Sequence, residues 1–186
     1  YKDESGKLVG FDTELAEKIF GNLGYEVVFK EIDWKQKYTE LNSGAIGCIW
    51  HGFTANTADD DGVARAEKVD FSYDYMRNKQ VIVANKDLAA TVTDNKSLAD
   101  KVGAVEKGSA GESFLEDELE GAIKSGVTSQ LDAMKNLTLK TADFAVVDDQ
   151  LAKAYVGKGD YASLKIVETV SGTEEFYAIG FKKGSA

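Results

Sequence analysis

The chain has 186 residues, of which 43% are hydrophobic and 29% are charged, and its formal net charge is −10 at pH 7. This length and balance are typical of a folded globular protein with one or two small domains, and they exclude an intrinsically disordered chain. The acidic surplus argues against nucleic acid and against anionic membrane surfaces as partners.

Composition also limits the kinds of site that the chain can carry. No apolar run approaches the length of about 18 residues that a membrane span needs, and we expect no export signal within this chain. One cysteine allows no internal disulfide, and one histidine with one cysteine leaves too few ligands for a zinc site. The acidic run at 59–62 lacks the alternating spacing of a calcium loop. We therefore expect neither a metal nor a cofactor.

The first part of the chain predicts alternating helices and strands. The polar and glycine residues that end each apolar pattern set the boundaries, because the chain has no proline. The predicted order is a polar turn at 3–6, a helix ending at Gly24, a strand at 25–30, a helix containing Trp34, Tyr38 and Leu41 and closed by Gly44, and a buried strand at 45–50. This order favours a parallel sheet with right-handed crossovers.

A second α/β set follows. The predicted elements are strands at 79–84, 102–106, 143–147, 164–167 and 176–181, and helices near 97–101, after the loop 107–111, near 130–136 and at 149–155. Polar residues follow the strands at 45–50 and 143–147. Open α/β sheets bind ligands at the carboxyl ends of their strands, so two such sets predict a ligand cleft between two lobes.

Seven segments, in this order, resemble the extracytoplasmic solute-binding proteins of the polar amino acid type, which are the receptor components of ABC importers. The segments are GKLVGFD at 6–12, DW at 33–34 with LNSG at 41–44, WHGFT at 50–54, RAEKVDFS at 65–72, VGAVEKGSA at 102–110, ADFAVVD at 142–148 and YAIGFKKGS at 177–185. No single segment is specific, but their order and spacing together are.

The resemblance implies an α/β fold with two lobes that close on a ligand by hinge rotation, each lobe a mostly parallel sheet flanked by helices. Lobe 1 would comprise residues 1–76 with 178–186, and lobe 2 residues 81–172. The hinge crossings would be 77–80 and 173–177. Against the family pattern, lobe 1 lacks its first strand and its C-terminal helices.

The resemblance also implies which residues hold the ligand carboxylate. Arg65 would grip it, since the planar guanidinium matches a carboxylate with two parallel hydrogen bonds. The backbone N–H of Thr54 would add a donor. Ser109 and Ala110, where the glycine loop enters a helix, would add further donors at a helix N-terminus, which favours anions.

Asp148, on the opposite wall, would take the ligand ammonium together with the Gly52 carbonyl and the Thr54 hydroxyl. Trp34 and Phe53 would cover the apolar part of the ligand. Two alternatives stay open: Asp148 could cap the helix that follows it, and Trp34 could belong only to the core.

The chain departs from the family by an insertion before Arg65. If the loop at 59–62 bulges into solvent, Arg65 faces the cleft. If the loop draws Arg65 outward, the arginine pairs at the surface with Asp59, Asp60 or Asp61. The site would then lack its main cation, since no lysine is expected at an equivalent position.

We therefore expect a monomeric binding protein, not an enzyme, that binds a free polar amino acid outside the cytoplasm and delivers it to the membrane permease of an ABC transporter. The same fold could instead be the sensor domain of a receptor. A third alternative is a dehydratase, for which His51 and Glu106 are the nearby candidate acid–base groups. The sequence does not specify which amino acid is bound.

Overall fold

The structure is a computed structural model that describes residues 7–185, so the polar turn predicted at 3–6 lies outside the described residues. The chain divides into two compact units, Tyr1–Ile32 and Asp33–Ala186. The first unit contains helix α1, Phe11–Asn22, as the sequence predicts.

The prediction of a strand at 25–30 is wrong. Residues 25–33 carry neither helix nor strand, although they are all described. The side chains of Tyr25 and Val28 are 68% and 84% exposed. No ladder joins this segment to a described strand, and an extended segment is a strand only when its backbone groups are paired.

The second unit contains the remaining elements. In chain order they are a 3₁₀ turn at Trp34–Gln36, α2 Lys37–Asn42, α3 Arg65–Lys68, β1 Val69–Phe71, β2 Met76–Asn78, β3 Gln80–Asn85, α4 Lys86–Ala89, a 3₁₀ turn at Asn95–Leu98, β4 Val102–Glu106, α5 Ala110–Glu118, β5 Ile123–Val127, α6 Gln130–Thr138, β6 Phe144–Asp148, α7 Asp149–Tyr155, a 3₁₀ turn at Gly159–Tyr161, β7 Leu164–Ser171, β8 Glu175–Tyr177 and β9 Gly180–Lys182. None of the described helices is long and apolar enough to cross a membrane.

The buried strand predicted at 45–50 is also wrong. Ile49 alone forms a β-bridge, in which its N–H and C=O exchange hydrogen bonds with Gly180 at 2.8 and 2.9 Å. The chain then turns at His51 and Gly52, whose φ angles are +93° and +68°. The ladder therefore ends after one residue pair.

The main sheet has five strands in the order β5-β4-β6-β3-β7. Strand β4 is parallel to β5 and β6, whereas β3 is antiparallel to β6 and β7. Helices α5 and α6 provide the crossovers between the parallel strands, as parallel pairing requires. The sheet is therefore mixed, and only its β5-β4-β6 part follows the mostly parallel prediction.

Alternate residues of β3 bury side chains on opposite faces of this sheet, as the period of a strand dictates. Val81 and Val83 belong to one apolar cluster with Met134 of α6, and Ile82 belongs to the other with Leu115 of α5. The sheet is therefore covered on both faces. This packing holds the helices α5 and α6 in place relative to the strands.

The other strands form two antiparallel pairs, β1 with β9 and β2 with β8. A third apolar cluster packs beside them and contains Leu41, Ile49, Phe53 and Val69. Strands β2 and β8 lie at the two predicted hinge crossings. The division into residues 1–76 with 178–186 and residues 81–172 stays a prediction.

The topology of the main sheet brings polar strand ends together. Glu106 and Asp148 end the parallel strands β4 and β6, so both lie at one edge of the sheet. Because β3 runs in the opposite direction, its first residue, Gln80, pairs with Asp148 at the same edge. This edge is where the candidate site lies.

Candidate functional site

Asp148 is an acceptor surrounded by amide donors. Its Oδ1 accepts from Asn78 Nδ2 at 2.7 Å and from Gln80 Nε2 at 2.6 Å, and its Oδ2 accepts from Gln130 Nε2 at 2.7 Å. The side chain makes no capping bond to α7, so capping does not explain its position. Burial, followed by the charge and hydrogen bond of Asp148, raises the pKa of Tyr177 above its usual range. Asp148 is thus oriented by neutral donors.

Two further carboxylates lie close to Asp148. Glu175 Oε2 accepts from Thr54 Oγ1 at 3.1 Å and from Asn78 Nδ2 and Gln80 Nε2 at 2.9 Å. Burial, followed by the charge of Asp148, raises the pKa of Glu175, and the same two causes raise that of Glu106 to about 7. Three carboxyl groups therefore lie close together in this part of the site, and a positively charged partner would stabilise their charged forms.

Gly52 lies against Asp148. A methyl group in place of its hydrogen would sit 3.7 Å from Asp148 Oδ2 and 3.6 Å from the Tyr177 ring. The left-handed backbone at this position, with φ +68°, also suits glycine. The turn at 51–52 thus reaches the carboxylate that ends β6.

Arg65, the first residue of α3, is 1% exposed. Its Nη1 donates to the Thr54 carbonyl at 3.2 Å, and its Nη2 donates to the Gly108 carbonyl at 3.4 Å. Its Nε donates to Asp59 Oδ1 at 2.9 Å. The guanidinium carbon lies 5.3 Å from the centre of the Phe53 ring. The structure therefore combines the two arrangements considered from sequence, because Arg65 pairs with Asp59 but is buried.

Lys37 is a second buried cation, and it contacts the same Gly108 carbonyl and Asp59 carboxylate as Arg65, although the sequence predicts no lysine at an equivalent position. Its Nζ lies 3.1 Å from the Gly108 carbonyl oxygen and 3.6 Å from Asp59 Oδ1. Burial, followed by the positive charge of Arg65, lowers the pKa of Lys37 to about 8. The helical spacing of Trp34, Lys37 and Leu41 places them on one face, which is the signal that could have found it.

Trp34 and Phe53 form an aromatic contact beneath these cations. Their ring centres lie 5.4 Å apart in an edge-to-face arrangement, and Lys37 Nζ lies 5.1 Å from the Trp34 ring centre. Phe53 is fully buried and belongs to the third apolar cluster, against which Trp34 packs. Both side chains therefore support the fold as well as the cations.

Ser109 and Ala110 form the start of α5. The Ser109 hydroxyl accepts from the Glu112 N–H at 3.1 Å and caps the helix. Ala110 is the first helical residue, and the first N–H groups of a helix have no partner within it. The chain thus presents a helix N-terminus immediately after the Gly108 carbonyl that Lys37 and Arg65 contact.

Thr54 connects the cationic and acidic parts of the site. The hydrogen bonds beside its bridge to Tyr177 run from Ala55 to Phe176 and from Ala178 to Phe53. Thr54 and Tyr177 therefore form a non-hydrogen-bonded pair of the antiparallel bridge. The backbone N–H and C=O of Thr54 point away from Tyr177. Its C=O meets Arg65, so its N–H points to the same side.

No described group of histidine, cysteine and acidic residues could hold a metal ion. Sequence reasoning missed Asn78, Gln80, Gln130 and Glu175 as well as Lys37. The amide side chains carry no motif, and only their position at strand and helix ends could have indicated them.

The chain is similar to bacterial proteins whose names describe amino acid binding. Residues 1–173 match the family of bacterial extracellular solute-binding proteins, family 3. The chain is 27% identical to the arginine-binding extracellular protein ArtP of Bacillus subtilis over 98% of this chain and 69% of that protein. It is also 27% identical to the L-cystine-binding protein TcyA of Bacillus subtilis, over 98% of this chain and 64% of TcyA.

Among solved structures, an ancestral arginine-binding protein bound to arginine superposes with a TM-score of 0.86 at 32% identity. The match covers 100% of this chain and 79% of that one. Such neighbours are two-lobed amino-acid-binding proteins, and the mixed α/β architecture found here agrees with their fold. The fold class predicted from sequence is therefore confirmed.

Proposed function

Because the chain belongs to the bacterial extracellular solute-binding proteins, family 3, we propose that it binds a free amino acid and delivers it to an ABC transporter. The chain spans about two thirds of the length of its curated relatives, with 69% of ArtP and 64% of TcyA covered. The ligand, the permease partner, the monomeric state and the extracytoplasmic location are accordingly parts of this proposal.

The observation that carries the proposal is a hydrogen-bonded connection between buried groups of opposite charge. Arg65 donates to the Thr54 carbonyl, and the Thr54 hydroxyl donates to Glu175. Asn78 then donates to both Glu175 and Asp148. A free amino acid carries a carboxylate and an ammonium at fixed separation, so it needs one cationic and one anionic group held at fixed positions.

The carboxylate of the ligand would bind at the cationic end. Arg65 supplies a planar fork, and Lys37 adds a second positive charge. The Thr54 N–H, on the side of the strand away from Tyr177, and the Ala110 N–H at the start of α5 would supply neutral donors. Ser109 holds this helix start by capping it.

The ammonium would bind at Asp148, next to the Gly52 backbone. Neutral amides hold the Asp148 carboxylate without cancelling its charge. A cationic side chain such as that of arginine would stabilise the charged forms of Glu106 and Glu175 nearby, which favours ligands of this kind. Trp34, with Phe53 beneath it, would border the apolar part of the ligand.

Closure on the ligand would bring together residues 1–76 with 178–186 and residues 81–172. Hydrogen bonds from Lys37 and Arg65 to Gly108 already join residues on either side of this boundary. Rotation would occur at 77–80 and 173–177, where β2 pairs with β8. Small-angle scattering should show a smaller radius of gyration when a bound amino acid saturates the protein.

One observation favours an enzyme as the second candidate. The pKa of Glu106, about 7, is that of an effective acid–base group at neutral pH. The named relatives are binding proteins, and the Gln130 amide, which acts to lower the pKa of Glu106, donates to Asp148. Mass spectrometry after prolonged incubation with prephenate-like acids would reveal a product if this alternative holds.

A thermal-shift panel of the standard amino acids and cystine tests the binding function. A ligand that binds only the native state must raise the melting temperature, by an amount that grows with its concentration. We expect at least one amino acid with a cationic side chain to do so. A panel in which no compound changes the melting temperature would contradict the proposal.

A further inference from the structure

The insertion before Arg65 places a carboxylate against the cationic end of the site. The segment folds back on itself, with a bridge between Ala58 and Ala64 and hydrogen bonds from the Asp59 N–H to Val63 and from the Gly62 N–H to Asp59. The Asp59 side chain is 9% exposed. Residues 60–62 of the insertion are therefore exposed to solvent, whereas the side chains of Asp59 and Arg65 are held inside.

Asp59 is held by four side chains. Its Oδ2 accepts from Tyr38 Oη at 2.6 Å and from Lys68 Nζ at 2.8 Å. Its Oδ1 accepts from Arg65 Nε at 2.9 Å and lies 3.6 Å from Lys37 Nζ. A carboxylate with these four partners has little freedom to rotate. The guanidinium of Arg65, which donates to it through Nε, is therefore fixed as well.

The edge of the guanidinium that Asp59 contacts determines which N–H groups of Arg65 are left for a ligand carboxylate. Arginine can bind a carboxylate side-on through Nε and one Nη, or end-on through both Nη atoms. Asp59 occupies Nε, while Nη1 and Nη2 face the Thr54 and Gly108 carbonyls. Each Nη carries two N–H groups, so after these carbonyl contacts one N–H on each Nη is left for a further acceptor beside the backbone segments of the proposed ligand site.

We propose that Asp59 is a positioning residue, which fixes the side-on edge of Arg65 and leaves its end-on edge for the carboxylate of the bound amino acid. The proposal rests on the proposed function. It gives the insertion a role that a surface loop would not have.

The negative charge of Asp59 could also be expected to oppose binding of the ligand carboxylate. A fixed anion beside a carboxylate site should repel the ligand, so its removal should strengthen binding. The charge of Asp59 is already balanced, however, by the surrounding Arg65, Lys37 and Lys68. Burial acts to raise the pKa of Asp59, but hydrogen bonds from Lys68 and Tyr38 and the charges of Arg65 and Lys37 outweigh it and lower the pKa to about 2. Neutralising Asp59 would leave two buried cations without their shared partner.

The first test observes Arg65 without any ligand. The chain has only two arginines, Arg65 and the 80% exposed Arg77, so a ¹⁵N spectrum of the Nε–H groups contains two assignable signals. We expect Arg65 Nε–H to exchange slowly with solvent in the wild type and at least about tenfold faster in Asp59→Asn, as the charge-assisted bond is lost. The control is Asp61→Asn, which removes an exposed charge from the same loop and should leave the signal unchanged.

The second test uses L-arginine and L-argininamide, in which a neutral amide replaces the carboxylate. Asp59→Asn should weaken L-arginine binding by about tenfold, equivalent to ~1.4 kcal/mol, and change L-argininamide binding far less. A purely structural role would weaken both compounds equally. Tyr38→Phe, which loosens the same carboxylate but keeps its charge, should act in the same direction and serves if Asp59→Asn folds poorly.

Tighter L-arginine binding by Asp59→Asn, equal losses for both compounds, or an unchanged Arg65 Nε–H signal would each overturn the positioning role. Failure of the proposed function would be seen in a different result, in which the wild type binds none of the amino acids in the thermal-shift panel. Even then, the exchange rate of Arg65 Nε–H shows whether Asp59 fixes the guanidinium.

Discussion

The ammonium group of Lys37 lies 3.1 Å from the backbone carbonyl oxygen of Gly108, although 71 positions separate the two residues in the chain. Arg65 donates to the same oxygen at 3.4 Å. Two buried cations therefore meet at the loop that leads into α5. The effects of this arrangement on stability and on ligand binding can be measured.

Lys37 should make the stability of the protein depend on pH above neutrality. Burial and the charge of Arg65 lower its pKa from 10.5 to about 8, against the opposing charges of Asp59 and Asp60. Between about pH 8 and 10.5 the unfolded chain binds more protons than the folded one, so the free energy of unfolding contributed by Lys37 rises with pH. Urea unfolding measures the free energy of unfolding of the wild type and of Lys37→Met. Across this pH range we expect the value for the wild type to rise relative to that for Lys37→Met. Lys35→Met controls for loss of an exposed lysine in the same turn, and parallel curves for the wild type and Lys37→Met would count against this assignment.

Glu106 should have an effect of opposite sign at lower pH. Burial and the charge of Asp148 raise its pKa from 4.5 to about 7, with Asp33 acting in the same direction and Gln130 and Lys37 opposing. Between these values the folded chain binds more protons, so stability decreases as the pH rises.

Glu106→Gln removes this loss, and it should become progressively more stable than the wild type from about pH 4.5 to 7. Chemical denaturation at several pH values measures the trend. Glu118→Gln, which neutralises an exposed acid on α5, should run parallel to the wild type. A constant difference between Glu106→Gln and the wild type would show that Glu106 does not titrate in this range.

The sequence could predict the parts of the site that are formed by β4, β6 and the start of α5, because these parts come from short stretches of consecutive residues. Strand β4, the glycine loop and α5 follow one another directly, as do β6 and Asp148. Strand β5 was missed because it is an edge strand, with Ile123 53% exposed, and its residues do not form an apolar run. The roles of Lys37 and Asp59 depend on contacts between distant segments, and a charged residue in a polar pattern looks the same whether it is solvated or paired.

A matched pair of glycines separates backbone strain from disruption of the site. Gly108 and Gly157 both have left-handed backbones, with φ +72° and +81°, so alanine should cost each variant about 1–2 kcal/mol of stability. A methyl group at Gly108 would also lie 3.5 Å from the Lys35 backbone and 3.7 Å from Lys37 Nζ, whereas Gly157 has nothing within 4 Å. Thermal denaturation should therefore show similar losses, and calorimetry should show weaker amino acid binding for Gly108→Ala alone. Equal affinities would separate this loop from the ligand site.

Asp148→Asn tests the ammonium site. We expect a loss of at least about 2 kcal/mol in amino acid binding, because a buried ammonium would lose its charged partner. Isothermal titration calorimetry measures the loss. Asp149→Asn is the control, since this neighbouring acid pairs with Lys153 on α7. If a deaminated ligand binds the wild type as tightly as its parent amino acid, Asp148 has another role.

The most direct measurement is a calorimetric titration of the wild type, Arg65→Lys and Arg65→Ala with the amino acid that gives the largest thermal shift, after thermal denaturation has shown that each variant is folded. We predict saturable binding by the wild type and a loss of at least ~2 kcal/mol of binding free energy in Arg65→Ala, because the carboxylate loses its charged partner. Arg65→Lys should also bind weakly, since it keeps the charge but not the planar fork. A folded Arg65→Ala variant with the affinity of the wild type would contradict the account.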